Sequence, residues 1–264
     1  MKIHILGSSG MLGRYMETYL GDIYNCISYT RKDFDASKDI YDLEKIPIDK
    51  GDIVINCIGV IKPRIKEAGE ANTILTNSVF PHLLSQYCKT KKCRLYHITT
   101  DCVFSGHKGR YKELDDPDVS DLYGVSKSLG EPEDCCVIRT SILGEEKENK
   151  RSFIEWAKSE KGNTVLGFSN HYWNGVTCLE LAKMLHRFIE EDIVWLGTRH
   201  VFTDKIYTKL EMVRMISEIW GLGLDVTAKA ACSDCDRTLR TIHKARYISS
   251  DLKTQLLELK DFKL

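Results

Sequence analysis

The chain has 264 residues, and 38 Lys and Arg balance 38 Asp and Glu to a formal net charge of zero. That length can bury a sizeable core and fits one two-lobed unit. The charge balance excludes bulk electrostatic attraction to nucleic acid or to a membrane surface. Ten cysteines would suggest a disulfide framework in a short secreted chain, but Met1-Lys2 leads straight into a strand with no signal peptide, and no apolar run is long enough to span a bilayer. Cys26, Cys57, Cys135 and Cys136 fall inside apolar strands, where free cysteine behaves as a small hydrophobe. The expectation is therefore a reducing, cytoplasmic compartment. Cys232-x-x-Cys235 has no partner pair at zinc spacing and reads as two thiols in a loop, so no metal is expected.

In chain order, Lys2–Leu6 predicts a strand, followed by Gly7-Ser8-Ser9-Gly10-Met11-Leu12-Gly13 and a helical pattern through Met11, Tyr15 and Tyr19. Strands follow at Asn25–Tyr29 and at Asp52–Cys57, the latter a near-continuous apolar run of the kind buried on both faces. A long helix is predicted around Thr73–Lys89, with Leu75, Val79, Leu83 and Leu84 at helical spacing, then strands at Arg94–Ile98 and Cys135–Thr140. The charged stretch Gly144–Lys150 reads as a loop. Beyond it come a helix near Phe153–Ser159, a short strand near Thr164–Leu166 and a helix over Leu179–Ile189. A strand at Val194–Leu196, a helix over Lys209–Trp220 and a terminal helix in Leu252–Leu264 complete the chain. Alternating strands and helices imply βαβ units and an α/β fold: a Rossmann, doubly wound parallel sheet with a smaller C-terminal substrate-binding lobe. The expected division is 1–145 for the dinucleotide-binding part and 146–264 for the substrate-binding part, with a strand from the latter free to return to the main sheet.

A glycine-rich turn between a strand and a helix lets the backbone approach a pyrophosphate at the positive end of the helix. Gly7, Ser9, Gly10, Met11 and Leu12 are the residues of that turn expected to touch a dinucleotide. The second strand ends at Tyr29-Thr30 and is followed by Arg31-Lys32, and a fixed guanidinium suits a 2′-phosphate, so NADPH is favoured over NADH. Arg14, just past the third glycine, is placed for a second phosphate contact. Thr99-Thr100-Asp101-Cys102 begins where a predicted strand ends, the place an open parallel sheet puts its chemistry. Tyr123 and Lys127, four apart on a helix, share a face, and a nearby cation favours the phenolate. A hydroxyl, a Tyr and a Lys together make a proton donor for a carbonyl oxygen. Tyr123 is then the general acid, Lys127 lowers its pKa and holds the nicotinamide ribose, and Thr100 hydrogen-bonds the same oxygen. Asp101 is expected to orient the site or a substrate hydroxyl.

These motifs resemble the extended short-chain dehydrogenase/reductase family, in particular its dTDP-4-dehydrorhamnose reductase branch. The resemblance rests on Gly7, Gly10 and Gly13, on Asn56-Cys57-Ile58-Gly59, on Thr99 to Gly106, on Tyr123-x-x-x-Lys127 and on Ile138-Arg139-Thr140-Ser141. It is specific over about the first 145 residues and looser beyond, where Asn170 to Thr177 and Asp236-Arg237-Thr238-Leu239 carry it. It implies cofactor contacts at Cys57, Ile58 and Gly59, and at Asp35 near the adenine. The implied reaction is NADPH-dependent reduction of the 4-keto group of a UDP- or dTDP-linked 4-keto-6-deoxy hexose, in the biosynthesis of a rhamnose-like or N-acetylated deoxysugar. A nucleotide sugar is the implied partner, and a homodimer stays open. Cys102 stands where those reductases usually carry Tyr. Its position resembles the catalytic Cys of GDP-fucose synthase and of the UDP-rhamnose epimerase/reductases, which epimerise the keto sugar before reducing it. That chemistry needs a second proton-transfer group, for which Lys158 and His171 are candidates. His171, Trp173 and Asn174 offer aromatic faces and an amide handle for a sugar or base. Arg237, with Arg240 as the alternative, suits a diphosphate, and Cys102 faces the substrate. The alternative function is a non-catalytic, cofactor-binding regulatory subunit, as in the methionine adenosyltransferase β subunit.

Overall fold

Strands that are apolar on both faces must be covered on both sides, and a parallel sheet between helical layers does this. The computed structural model, which describes residues 1–148, 150–244 and 247–264, has that arrangement. In chain order its elements are β1 (Ile3–Leu6), α1 (Met11–Gly21), β2 (Cys26–Tyr29), β3 (Ile53–Asn56), α2 (Ile65–Ala68), α3 (Glu70–Ile74), α4 (Phe80–Lys91), β4 (Arg94–Thr100), α5 (Leu122–Ser128), β5 (Cys136–Thr140) and β6 (Ile142–Leu143). There follow α6 (Phe153–Ser159), β7 (Thr164–Phe168), β8 (His171–Trp173), β9 (Val176–Thr177), α7 (Cys178–Glu190), β10 (Gly197–His200), β11 (Tyr207–Thr208), α8 (Lys209–Trp220), β12 (Asp225–Lys229), β13 (Cys235–Asp236) and α9 (Leu252–Asp261).

The main sheet has the order β10-β5-β4-β3-β1-β2, and every neighbouring pair is parallel. Leu6 at the end of β1 lies between Tyr29 of β2 and Asn56 of β3. The winding reverses between β1 and β3, so the loops after these strands part and leave a crevice at their carboxyl ends. Side chains alternate across the sheet. Ile3, Ile5, Ile55, Tyr96 and Ile138 join α1, α7 and α9 in one core, whereas Leu6, Val54, Leu95 and Val137 join Phe80, Leu84 and Cys88 of α4 in the other. The remaining strands form three small sheets, β11-β8-β13, β12-β7 and β6-β9.

Two expectations are corrected. The helix expected over Thr73–Lys89 runs from Glu70 to Lys91, and Leu75–Val79 within it is a π-helical turn. The strand expected at Val194–Leu196 falls at Gly197–His200. Gly-Thr-Arg-His is half-buried on the sheet edge and carries no apolar run, so periodicity points to the apolar residues before it. Those residues instead meet β5 through Cys136, whose thiol donates to the Trp195 carbonyl at 2.9 Å.

Candidate active site

The crevice is a cleft of about 860 Å³ running from the glycine turn to the end of β4, within the size range of small-molecule sites. At one end, the Gly7 and Ser8 amides donate to the Tyr29 carbonyl at 2.9 and 3.1 Å, and the Gly10 amide donates to Gly7 O at 3.0 Å. Gly7 has φ +80°, and a Cβ on Gly13 would lie 2.1 Å from the Gly7 carbonyl oxygen. The turn is thus packed directly on the first turn of α1, leaving a glycine cradle that fits a pyrophosphate. Gly7, Ser9, Gly10, Met11, Leu12, Arg31, Asp35, Cys57, Ile58 and Gly59 all line this end. Asp35 accepts from the Ser37 amide and hydroxyl at 3.0 and 2.7 Å. Burial works against the charge of Asp35, but these bonds and the nearby Arg31 and Lys38 hold its carboxyl below the usual range. Arg14 also lines the cleft and is paired with Glu148 at 2.8 Å.

At the other end, Thr100, Asp101, Cys102, Tyr123 and Lys127 line the same cleft. Thr100 closes β4 and caps the short turn Asp101–Val103: its hydroxyl accepts from the Cys102 amide at 3.1 Å and lies 3.3 Å from the Asp101 carboxylate. Asp121 caps α5 by accepting from the Gly124 amide at 3.1 Å, and Lys62 pairs with Asp121 at 2.8 Å. A Cβ on Gly124 would lie 2.4 Å from the Cys102 carbonyl oxygen, so only glycine lets α5 dock closely enough to bring Tyr123 beside Thr100 and Cys102. The Lys127 ammonium donates to the Ile98 carbonyl at 3.2 Å.

Burial sets the electrostatics. It pushes the Tyr123 phenol up, with Cys102 adding to the effect and contact with the Thr100 hydroxyl opposing it. Lys127 was expected to lower that phenol, but it is not among the groups that influence it most. Its own pKa is drawn down to about 8 by burial, against the pull of Glu131 and Cys57. Burial also raises Asp101, opposed by Arg237 and Lys209. The Cys102 thiol is pushed up to about 12 by burial and by Asp101, with Arg237 opposing. At neutral pH the phenol and the thiol therefore both carry their protons.

The expected substrate-side residues are placed differently from one another. The Arg237 Nε donates to the Phe104 carbonyl at 2.7 Å, which docks Arg237 against the loop that follows Cys102. The Trp173 Nε1 donates to the Ser141 hydroxyl at 2.8 Å, and Ser141 lines the cleft. Asn174 is buried with its amide committed to backbone: it donates to Thr203 O and Leu239 O at 3.2 and 2.9 Å and accepts from the Leu239 amide at 2.8 Å. His171 donates to Ser233 O at 3.3 Å, its ring lies tilted against that of Phe168 with centroids 4.8 Å apart, and it is not part of the cleft wall. Lys158 is held by Glu145 and by Glu155 and is not part of that wall either.

Two residues went unnoticed in the sequence. Asn77, in the π-helical turn, accepts from the Val60 amide at 2.7 Å and donates to Val60 O and Ser126 Oγ at 2.9 and 3.1 Å. It ties the loop after β3 to α5, and the widened turn supplies its position. An amide among the apolar residues of a helix was the available signal. Lys209 is the other, a half-buried cation facing Asp101 and Cys102. Its signal was Thr208-x-x-Glu211, a capping box that puts Lys209 at the first turn of α8.

A dTDP-4-keto-6-deoxy-D-glucose reductase from Streptomyces niveus is 28% identical over 148 residues, covering 53% of this chain and 51% of that protein. A dTDP-4-dehydrorhamnose reductase from Mycobacterium tuberculosis is 29% identical over 136 residues, covering 49% of this chain and 44% of that protein. The chain spans about half the length of these curated relatives. Among solved structures, a dTDP-4-dehydrorhamnose reductase from Clostridium acetobutylicum superposes with a TM-score of 0.79 at 20% identity, over 99% of both chains. One from Bacillus anthracis in complex with NADP reaches 0.79 at 17% identity over 98% of both. A UDP-rhamnose synthase from Acanthamoeba polyphaga mimivirus reaches 0.69 at 18% identity over 90% of both. These structures share its fold. Residues 1–258 match the model of the RmlD substrate binding domain, and the chain belongs to that family.

Proposed function

We propose that the protein is an NADPH-dependent reductase of the 4-keto group of a 4-keto-6-deoxy hexose carried on dTDP or UDP, in deoxysugar biosynthesis. The observation that carries this reading is the convergence of Thr100, Tyr123 and Lys127 on one cleft with the Gly7–Gly13 turn. The names of the curated relatives and the NADP complex of the Bacillus anthracis protein support it. The glycine turn would hold the pyrophosphate, Arg31 the 2′-phosphate, Asp35 the adenine side, Cys57 to Gly59 the adjoining backbone and Lys127 the nicotinamide ribose. Bound there, NADPH supplies a hydride. Tyr123, a neutral phenol, hydrogen-bonds the substrate carbonyl and gives it a proton. Thr100 donates to the same oxygen and stabilises the charge that develops on it. Asp101 orients a sugar hydroxyl.

Cys102 adds a second part to this reading, epimerisation at C3 before reduction, because its protonated thiol lies in the cleft beside Tyr123 and Asp101. Protons next to a ketone are acidic enough for such a group to exchange. A purely cofactor-binding regulatory subunit would use Lys127 for the ribose but would have no use for Thr100 and Tyr123 as donors to a substrate carbonyl.

The test is NADPH oxidation with UDP- and dTDP-4-keto-6-deoxyglucose and the 4-keto-6-deoxy N-acetylglucosamine analogue, in deuterated water with the product read by NMR. Tyr123→Phe should lower turnover by about 10²- to 10⁴-fold while NADPH binding, followed by its fluorescence, persists. Deuterium at C3 of the product that disappears in Cys102→Ala marks epimerisation. Oxidation with none of these sugars would overturn the enzyme reading in favour of the regulatory one.

A further inference from the structure

Behind the cleft, one buried guanidinium joins three segments that carry the site. Arg139 lies on β5, in register with Thr99 of β4 on one side and with His200 of β10 on the other, and is 3% exposed. Its Nε donates to Glu131 at 3.0 Å and its Nη2 to the other oxygen of that carboxylate, just past α5 with Tyr123 and Lys127. The guanidinium lies 4.9 Å from the ring centroid of Phe104, in the loop after Cys102. Its Nη1 lies 3.0 Å from His200 Nε2, and His200 Nδ1 lies 2.7 Å from the Arg240 carbonyl.

These partners leave the imidazole one form. A guanidinium only donates and a carbonyl only accepts, so Nε2 is bare and Nδ1 carries the proton. His200 is therefore neutral. Burial and the Arg139 charge draw its pKa down to about 4, with Glu113 opposing them.

The segment that His200 holds runs from Asp236 to Ile242. Glu113 fastens its far end, accepting from the Thr241 hydroxyl at 2.6 Å and the Ile242 amide at 2.9 Å. Tyr111 fastens its middle: its amide donates to Thr238 O at 2.8 Å and its carbonyl accepts from the Arg240 amide at 2.7 Å. The near end is fixed by the Asp236 amide, which donates to Gly106 O at 2.7 Å. Arg237 lies within this clamp, and its Nε is spent on the Phe104 carbonyl. Among the described residues its two terminal nitrogens donate to nothing in the protein. Its charged neighbours are Cys102, Cys235, Asp101 and Asp121. A half-buried guanidinium with an open outer fork, beside the substrate end of the cleft, suits a diphosphate.

We propose that His200 is a positioning residue for the substrate: by joining Arg139 to the Arg240 carbonyl, it holds the 236–242 segment where the open fork of Arg237 meets the diphosphate of a nucleotide sugar. This rests on the sugar-nucleotide reading above. His200 is not part of the cleft wall and acts through Arg237.

The test is titration calorimetry of dTDP and of UDP into the protein saturated with NADP⁺ near neutral pH, with NADPH affinity followed separately by fluorescence. Arg237→Met should weaken both nucleotides by about 10- to 100-fold. His200→Leu leaves Arg139 and the Arg240 carbonyl without their partner. It should weaken the nucleotides about 10-fold while NADPH affinity stays within about threefold. His200→Gln offers one acceptor and one donor and should recover most of the loss. Combining His200→Leu with Arg237→Met should bind no more weakly than Arg237→Met alone, because nothing is left to position. Glu113→Gln loosens the same segment from its other end and gives the same comparison if His200→Leu does not fold. Its smaller loss should likewise vanish beside Arg237→Met. Losses that add in the combined variants would overturn the inference. So would unchanged nucleotide affinity in His200→Leu, or nucleotide and NADPH weakened alike. A wild type that binds a nucleotide and is indifferent to Arg237→Met overturns the inference and leaves the sugar-nucleotide reading standing. A wild type that binds neither dTDP nor UDP overturns both.

Discussion

Lys127 lies fully inside the protein, donating to the Ile98 carbonyl, and burial draws its pKa down to about 8. Above pH 8 and below the ordinary lysine value, the unfolded chain binds a proton that the folded chain does not, so stability rises with pH through that window and the penalty is complete below it. Lys127→Met should therefore stabilise the cofactor-free protein at pH 7 by on the order of 2–3 kcal/mol, and the gain should shrink by pH 10. Urea unfolding at the two pH values checks this, and the same variant should lose NADPH oxidation. Arg31 is exposed on the cleft, beside Asp35 and Lys38. If it takes the 2′-phosphate, Arg31→Ala should weaken NADPH about 10- to 100-fold and leave NADH nearly unchanged in fluorescence titrations. Both residues could be singled out in the sequence because spacing alone carries them: a Tyr-x-x-x-Lys face and a basic turn after a strand. Lys209 could not, since its meaning depends on Asp101 and Cys102, which are more than a hundred positions away.

Among the elements, α5 depends on a glycine that no motif flagged. A Cβ on Gly124 would lie 2.4 Å from the Cys102 carbonyl oxygen and 2.5 Å from a Val119 methyl. Gly124→Ala must lift the start of α5, and Tyr123 moves with it. A displacement near 1 Å costs about 100-fold in turnover, so kcat should fall by that order while NADPH affinity changes less, because the glycine cradle lies on α1. Steady-state kinetics beside a fluorescence titration separates the two effects. The π-helical turn Leu75–Val79 makes the same point from the other side of the cleft. Its sequence reads as ordinary helix, and the extra residue in the turn is imposed by Asn77 meeting Val60 and Ser126.

Across the whole molecule, one core joins the first strands to the last helix: Ile3, Ile5, Tyr96 and Ile138 pack with Leu185 of α7, Met212 of α8 and Leu256 of α9. Asn174 bolts the segment after β8 to Thr203 and Leu239 with three buried hydrogen bonds. Asn174→Leu strands backbone groups without water or partner, which should cost on the order of 3 kcal/mol or more. With the core continuous from β1 to α9, urea unfolding followed by tryptophan fluorescence and by circular dichroism should stay coincident and shift together to lower urea.

The parallel α/β sheet, the glycine turn and the Thr100–Tyr123–Lys127 group were legible in the sequence because each is local. Apolar runs of period two or continuous burial mark strands, and short motifs mark the turns at their carboxyl ends. The later half was less legible. Its strands β8, β9, β11 and β13 are two or three residues long, too short for any period, and β10 is a polar edge strand. Only the tertiary structure brought Lys209 and Arg237 toward Asp101 and Cys102 and turned Asn174 inward to the backbone. Those contacts join residues far apart in the chain, and packing rather than pattern selects them.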